Sequence, residues 1–311
     1  MNIIILDALT FGDSDLSAFS SLGNVQIFQT TSPLQTSERI KDSDVIVTNK
    51  VVITSEHMQN TPSLKLICVA ATGMNNIDLQ SAKKRDIEVR NVSGYSSDSV
   101  IQHTFSMLFY LIGHSKYYDN YVKDGLYAKS EIFTDISRPF FEIKGKKWGI
   151  IGLGEIGRGV ANIAKTFGAE ICYYSTSGNN RNKEYPSLAL DELLVSCDII
   201  SIHAPLNENT LNLLDYKELQ KCRDASVILN LGRGGIINEE AVARIVDERD
   251  MLFALDVLSR EPIEQNNPLL HVKNRDNLYI TPHIAWTSIE ARKALIEGVI
   301  DNIKLFLKQK A

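Results

Sequence analysis

Short apolar runs alternate with amphipathic stretches from the first residues of the chain. Asn2–Leu6, Val25–Phe28, Asp44–Thr48 and Leu66–Ala70 are rich in Ile, Val and Leu. Runs of this kind fit parallel strands buried on both faces. Between them, Asp15–Leu22, Ser37–Lys41 and Ser55–Asn60 read as helices. This alternation predicts a first α/β unit, ending at the turn-rich stretch Asn91-Val92-Ser93-Gly94-Tyr95. A single long helix is expected from Ser99 to about Lys123, with a nearly all-apolar front half, Val100–Ile112. A helix apolar on most sides is buried, so this one reads as a spine opening a second domain. Gly125–Phe141 is a long loop bearing aromatic residues, and such loops in compact proteins are usually functional or touch a partner.

The alternation resumes at Lys147. Strands are expected at Trp148–Ile151, Glu170–Tyr174, Asp198–His203, Ser226–Asn230, Leu252–Asp256 and Leu278–Thr281. Helices are expected at Glu155–Phe167, Leu190–Val195, Tyr216–Lys221 and Glu239–Arg249. The last amphipathic segment, Ser288–Leu307, is expected to return to the first domain. The fold class is therefore α/β, with two Rossmann-like doubly wound parallel-sheet domains. The domain at 98–283 is inserted into a discontinuous one made of 1–97 and 284–311.

The glycine triplet Gly152-x-Gly154-x-x-Gly157 lies between the first strand and first helix of the second domain. In that context the first glycine permits the tight turn, the second a close backbone approach to phosphate, and the third helix–strand packing. The helix N-terminus adds amides and a positive dipole end. A dinucleotide is the predicted cofactor. Net charge is -5 with no basic patch, which argues against nucleic acid or an anionic membrane surface as partner. The four cysteines lie in or beside apolar runs with no CxxC pair, as buried reduced thiols do. Asp7 interrupts Ile3–Leu6, so no signal peptide is read, and a cytoplasmic location is expected. No metal-ligand spacing is found.

Three residues stand just past strand ends: Arg233 among glycines, Glu261 before Pro262, and His283 after Pro282. Ligands of open α/β sheets bind at that edge. A carbonyl that accepts hydride needs a proton, and histidine is the usual donor near neutral pH. A carboxylate beside the ring favours its protonated form and fixes its tautomer. An arginine fork holds a substrate carboxylate at two points. Each residue alone has ordinary structural uses. Following a dinucleotide turn, they point together to reduction of a 2-oxo acid.

The chain resembles the D-isomer-specific 2-hydroxyacid dehydrogenase family. The resemblance is carried by Ala71-Thr72-Gly73-Met74-Asn75-Asn76-Ile77-Asp78, Asn91–Tyr95, Gly152–Gly157, His203-Ala204-Pro205-Leu206, Asn230–Gly235, Asp256–Pro262 and Thr281–Ala285. It implies that Arg233 binds substrate, that Glu261 partners the acid/base His283, and that backbone amides around Ala71, Thr72 and Gly73 hold the substrate carboxylate. The cofactor groove it implies comprises Gly152, Gly154, Glu155, Ile156, Gly157, Ser175, Thr176, His203, Ala204, Pro205, Thr210, Leu231, Gly232, Asp256 and Ala285, with Asp256 at the nicotinamide amide. A homodimer built on the cofactor domains is implied too, with Gly125–Phe141 as a candidate contact. Trp286 resembles the glycerate dehydrogenase, or hydroxypyruvate reductase, group; it either closes the pocket around a three-carbon substrate or packs at a domain junction. Glu261 stands where the related formate dehydrogenases carry glutamine. Ser175 replaces the family's ribose-binding acid, which leaves NAD and NADP both open. The implied reaction is hydride transfer between nicotinamide and C2 of a small D-2-hydroxy acid, with glycerate/hydroxypyruvate or glyoxylate foremost. D-lactate, 3-phosphoglycerate and a cofactor-sensing binding role are the alternatives.

Overall fold

A computed structural model describes residues 1–310. The chain divides into two compact units: Met1–Ser96 with the chain from Thr287 on, and Ser97–Trp286. In the first, β1 (Asn2–Ile5), β2 (Asn24–Ile27), α1 (Pro33–Ile40), β3 (Val45–Thr48), α2 (Ser55–Gln59), β4 (Leu66–Val69), α3 (Leu79–Lys84) and β5 (Glu88–Asn91) follow in turn. The strands form one parallel sheet, ordered β2-β1-β3-β4-β5. The apolar runs of β3 and β4 are buried along their whole length because both are interior strands. Asp7, just after β1, is buried and accepts the amides of Asn49, Lys50 and Val51 after β3. Ser32 and Thr54 start α1 and α2 with capping boxes.

The second unit opens with α4 (Ser97–Ile112) and α5 (Ser115–Lys123), followed by β6 (Lys147–Ile151), α6 (Glu155–Thr166), β7 (Glu170–Tyr174), α7 (Leu190–Ser196) and β8 (Ile199–Ile202). It continues with α8 (Tyr216–Lys221), β9 (Val227–Asn230), α9 (Glu239–Glu248), β10 (Leu252–Leu255) and β11 (Leu278–Ile280). Its parallel sheet runs β11-β10-β9-β8-β6-β7. Alternate strand residues feed two cores. Ile150, Ile199 and Leu229 join α4 and α6 on one face, and Ile151, Ile200 and Ile228 join α7, α8 and α9 on the other. Trp148 is fully buried, with its indole N–H donated to Ser201 Oγ at 2.9 Å. Gly159 lets α6 meet α4, since a Cβ there would lie 2.2 Å from Ile101 Cδ1. The last helix, α10 (Ile289–Lys310), belongs to the first unit.

The structure departs from the sequence reading in four places. Asp15–Leu22 holds only a 3-10 turn, Ser17–Ser21. The expected long spine breaks at Gly113-His114, where His114 takes a left-handed φ of 46°. Strand β5 and helix α3 were not read: β5 is a half-buried edge strand of mixed polarity, and α3 is short and lysine-bearing. Among the described residues, no helix is long and apolar enough to cross a membrane.

Candidate active site

Strand β6 has β7 on one side and β8 on the other, so the glycine turn after it lies where the sheet order reverses, the place where open α/β sheets bind ligands. Gly152 takes φ +91°, and a Cβ there would be 2.9 Å from the Ala204 backbone. A Cβ on Gly157 would lie 2.4 Å from Gly152 O, so α6 seats directly on the turn. At Gly154 a Cβ would meet nothing within 4 Å. Gly154 is the N-cap of α6 and makes no side-chain cap bond, so no cap side chain takes up the first-turn amides, those of Glu155 and Ile156 among them. This cradle fits the pyrophosphate of a dinucleotide. Buried Ala204 and Leu231 back it, and a Cβ on Gly232 would meet Ala204 O at 2.8 Å.

Beyond the turn, Ser175 and Thr176 follow β7 and are half-buried. Asn180, which sequence reasoning missed, ties their loop down: its amide group donates to Leu153 O at 2.8 Å and its backbone N–H to Ser175 Oγ at 3.3 Å. Thr210 follows the turn after β8. It is fully buried, and its hydroxyl donates to Pro205 O at 2.7 Å, closing the turn beneath an exposed Pro205. His203 spends its amide on Ile151 O at 2.9 Å. Both its ring nitrogens are buried without a protein partner, and burial pushes the imidazole down to about 3.

His283 and Glu261 meet. His283 Nδ1 lies 2.6 Å from Glu261 Oε2, with the two side chains 23% and 33% exposed. The other oxygen, Oε1, accepts the Leu258 amide at 3.0 Å, which aims the carboxylate. His283 has a left-handed φ of 55°, a costly conformation for a residue with a Cβ. Asp256 holds it there. Its carboxylate, 1% exposed, takes Thr281 Oγ1 at 2.6 Å, Ile284 N at 2.8 Å and Ala285 N at 3.0 Å. His283 N donates to Asp256 O at 2.9 Å. The carboxylate expected at the nicotinamide amide thus also organises the loop that carries His283.

Arg233 stands on the turn after β9, with Nη1 donating to Gly232 O at 2.8 Å. Buried Asn230 shapes that turn, donating to Arg233 O at 2.9 Å and accepting Gly232 N at 3.1 Å. The turn is packed hard against the acid's loop: a Cβ on Gly234 would lie 1.9 Å from Leu258 O. Glu239, in the first turn of α9, grips both ends of that loop through Ser259 N at 2.5 Å and Asn267 Nδ2 at 2.6 Å. Sequence reasoning gave roles to Arg233 and Glu261 but none to Gly234 or Glu239. Trp286 is half-buried at the end of this unit. Ala71, Thr72 and Gly73 belong to the first unit, after β4, where Asn91 Nδ2 donates to Thr72 O at 2.6 Å and Val92 N to Ala71 O at 3.2 Å. Among the described residues no cluster of His, Cys, Asp and Glu could hold a metal ion.

Residues 105–285 match the model of the D-isomer specific 2-hydroxyacid dehydrogenase NAD binding domain. The chain belongs to that family. It is therefore a nicotinamide-dependent oxidoreductase of 2-hydroxy acids. It is 34% identical over 318 residues to a hydroxypyruvate reductase of Blautia hydrogenotrophica, covering 99% of this chain and 97% of the relative. A glycerate dehydrogenase of Methylorubrum extorquens is 30% identical over 282 residues, 90% of this chain and 88% of its own. Among solved structures, an acyclic imino acid reductase in complex with NADPH and D-Arg superposes with a TM-score of 0.87 at 28% identity, covering 100% of this chain and 98% of that one.

Proposed function

We propose that the protein interconverts a small D-2-hydroxy acid and its 2-oxo acid, with glycerate/hydroxypyruvate or glyoxylate as the substrate pair. The reading is carried by the 2.6 Å contact between His283 Nδ1 and Glu261. With Nδ1 committed to the carboxylate, Nε2 is the nitrogen that gives a proton to, or takes one from, the substrate oxygen. Glu261 holds the ring in that tautomer and stabilises its charged form. Arg233 binds the substrate carboxylate and polarises the neighbouring carbonyl. The nicotinamide, when bound, supplies or accepts the hydride. The span 97–286 is the cofactor domain of this proposal, and the turn at Ala71, Thr72 and Gly73 in the other unit contributes to the substrate side. The names of the relatives favour acids of two or three carbons: hydroxypyruvate reductase, glycerate dehydrogenase and glyoxylate reductase.

The cofactor proposal is that NADPH is accepted as well as NADH. No carboxylate ends β7 to repel a 2′-phosphate, and Arg181 is exposed on the following loop. A homodimer and a cytoplasmic location complete the proposal. The four cysteines are free and buried, and Cys172 Sγ and Cys197 Sγ lie unbridged at 3.4 Å, as a reducing compartment allows. The imino acid reductase relative supports a second substrate class, the C2 imine of the same acids.

Purified protein assayed with hydroxypyruvate, glyoxylate and pyruvate, with and without an amine and with both reduced cofactors, tests the reading. Hydroxypyruvate or glyoxylate should give the highest kcat/KM. His283→Ala should lower turnover by about 10²–10⁴-fold; turnover near that of the parent removes His283 from the mechanism.

A further inference from the structure

His103 interrupts the apolar spine helix α4, where its side chain is only 16% exposed. Its Nε2 lies 3.2 Å from Thr281 Oγ1, and Thr281 Oγ1 lies 2.6 Å from Asp256 Oδ1. Thr281 and Asp256 are 5% and 1% exposed. A threonine hydroxyl has one proton to give. At 2.6 Å that proton goes to the carboxylate, since the competing acceptor, Met107 Sδ, stands at 3.8 Å. The hydroxyl oxygen therefore accepts from His103, and Nε2 must carry the hydrogen. Burial lowers the proton affinity of His103 more than the Asp256 carboxylate raises it, so the ring is neutral near pH 7. The 3.6 Å approach of Nε2 to Asp256 Oδ1 is then no ion pair. What remains is a directed relay, N–H to O–H to carboxylate, of the kind that strengthens cooperatively in a buried setting. Its last member is the group that holds Thr281, Ile284 and Ala285 around the left-handed His283.

We infer that His103 is a positioning residue for the reaction: through the Thr281 hydroxyl it fixes the Asp256 carboxylate from which the His283 loop hangs. The inference rests on the acid/base role proposed above for His283. The spine helix thereby sets where the imidazole of residue 283 stands, although His103 itself touches no reacting atom. A displacement of about 1 Å in such a group can cost about 10²-fold in rate. A histidine that served only as core filling would, when replaced, lower stability and leave the chemical step untouched.

The test compares His103→Leu, His103→Gln, Thr281→Val and the His103→Leu/Thr281→Val pair, each checked for folding by circular dichroism. His103→Leu should lower kcat by about 10- to 10²-fold with little change in either KM. The deuterium isotope effect on kcat from C4-deuterated reduced nicotinamide should rise, because the chemical step becomes slower relative to product release. His103→Gln, which keeps an N–H donor, should recover part of the rate. The double variant should be no slower than the worse single, as expected of two groups acting in one relay. An unchanged kcat and isotope effect in a folded His103→Leu, or losses that multiply in the pair, overturns the inference. If His103→Leu does not fold, His103→Gln and Thr281→Val decide by the same two readouts. His283→Ala is measured alongside: activity retained there defeats the proposed function itself, whereas activity lost there but intact in the His103 variants defeats only this inference.

Discussion

The His203 side chain shows what one buried ring does to a stability profile. Its residue surface is partly exposed, yet both ring nitrogens are buried without a protein partner. Burial takes the proton affinity from 6.5 to about 3. As pH falls, the unfolded chain binds a proton first, so this ring weakens the fold between those two values and has no effect above the upper one. The slope from one such group is at most about 1.4 kcal/mol per pH unit. His203→Gln, which cannot titrate, should therefore flatten the fall of the urea midpoint between neutral and mildly acidic buffer. Parallel midpoint curves for parent and variant would mean that another group sets the slope. A second residue-scale test concerns the strand end. Ser175→Asp places a carboxylate where β7 stops, so the ratio of kcat/KM for NADH over NADPH should rise by about tenfold or more, one charge–charge contact being worth about 1–2 kcal/mol near a surface. A constant ratio would mean that this position does not read the 2′-phosphate.

Among the elements, the loop from Leu258 to Asn267 decides how firmly Glu261 is presented. Gly234 lies against its backbone, with no flexible side chain available to give way. Gly234→Ala should force the loop outward, costing about 1–3 kcal/mol of stability and lowering kcat by about tenfold or more through the displaced carboxylate. Thermal unfolding and turnover measured together check this, and a variant with the parent's kcat would show that the loop absorbs the methyl without moving Glu261. This brace marks the limit of what the sequence disclosed. Arg233, Glu261 and His283 could be read from it because each follows a strand run, and topology brings strand ends to one edge. Gly234, Glu239 and Asn230 could not, because their role lies in contacts with residues far along the chain, and neither periodicity nor local motif carries such contacts. The same holds for Asp256: its family motif was visible, but its hydrogen bonds to Thr281, Ile284 and Ala285 join residues far along the chain. Strong apolar runs gave the central strands, whereas β5 and the break at Gly113-His114 depend on pairing and on a backbone angle that leave no hydrophobic signature.

For the whole molecule, the segment after α5 leaves large apolar groups in water. Ile132, Phe133, Ile136 and Phe140 are 57%, 88%, 79% and 68% exposed. Exposed apolar groups of this size fit an interaction surface, and the proposed dimer would cover them. Phe133→Asp with Phe140→Asp should halve the mass seen by light scattering; an unchanged mass places the subunit contact elsewhere. Helix α10 has a different consequence. Asn302 Nδ2 donates to Asn91 O at 2.9 Å and Arg90 Nη1 to Asn302 O at 3.0 Å, and a Cβ on Gly298 would lie 2.6 Å from Val92 Cγ1. Strands β4 and β5 thus find part of their cover in a helix that is translated only after the whole second unit. At translation speeds of about 5–20 residues per second, the gap lasts about 10–40 s. During that interval β4 and β5 are made without α10 over them, and their apolar side chains stay open to other chains until that helix emerges.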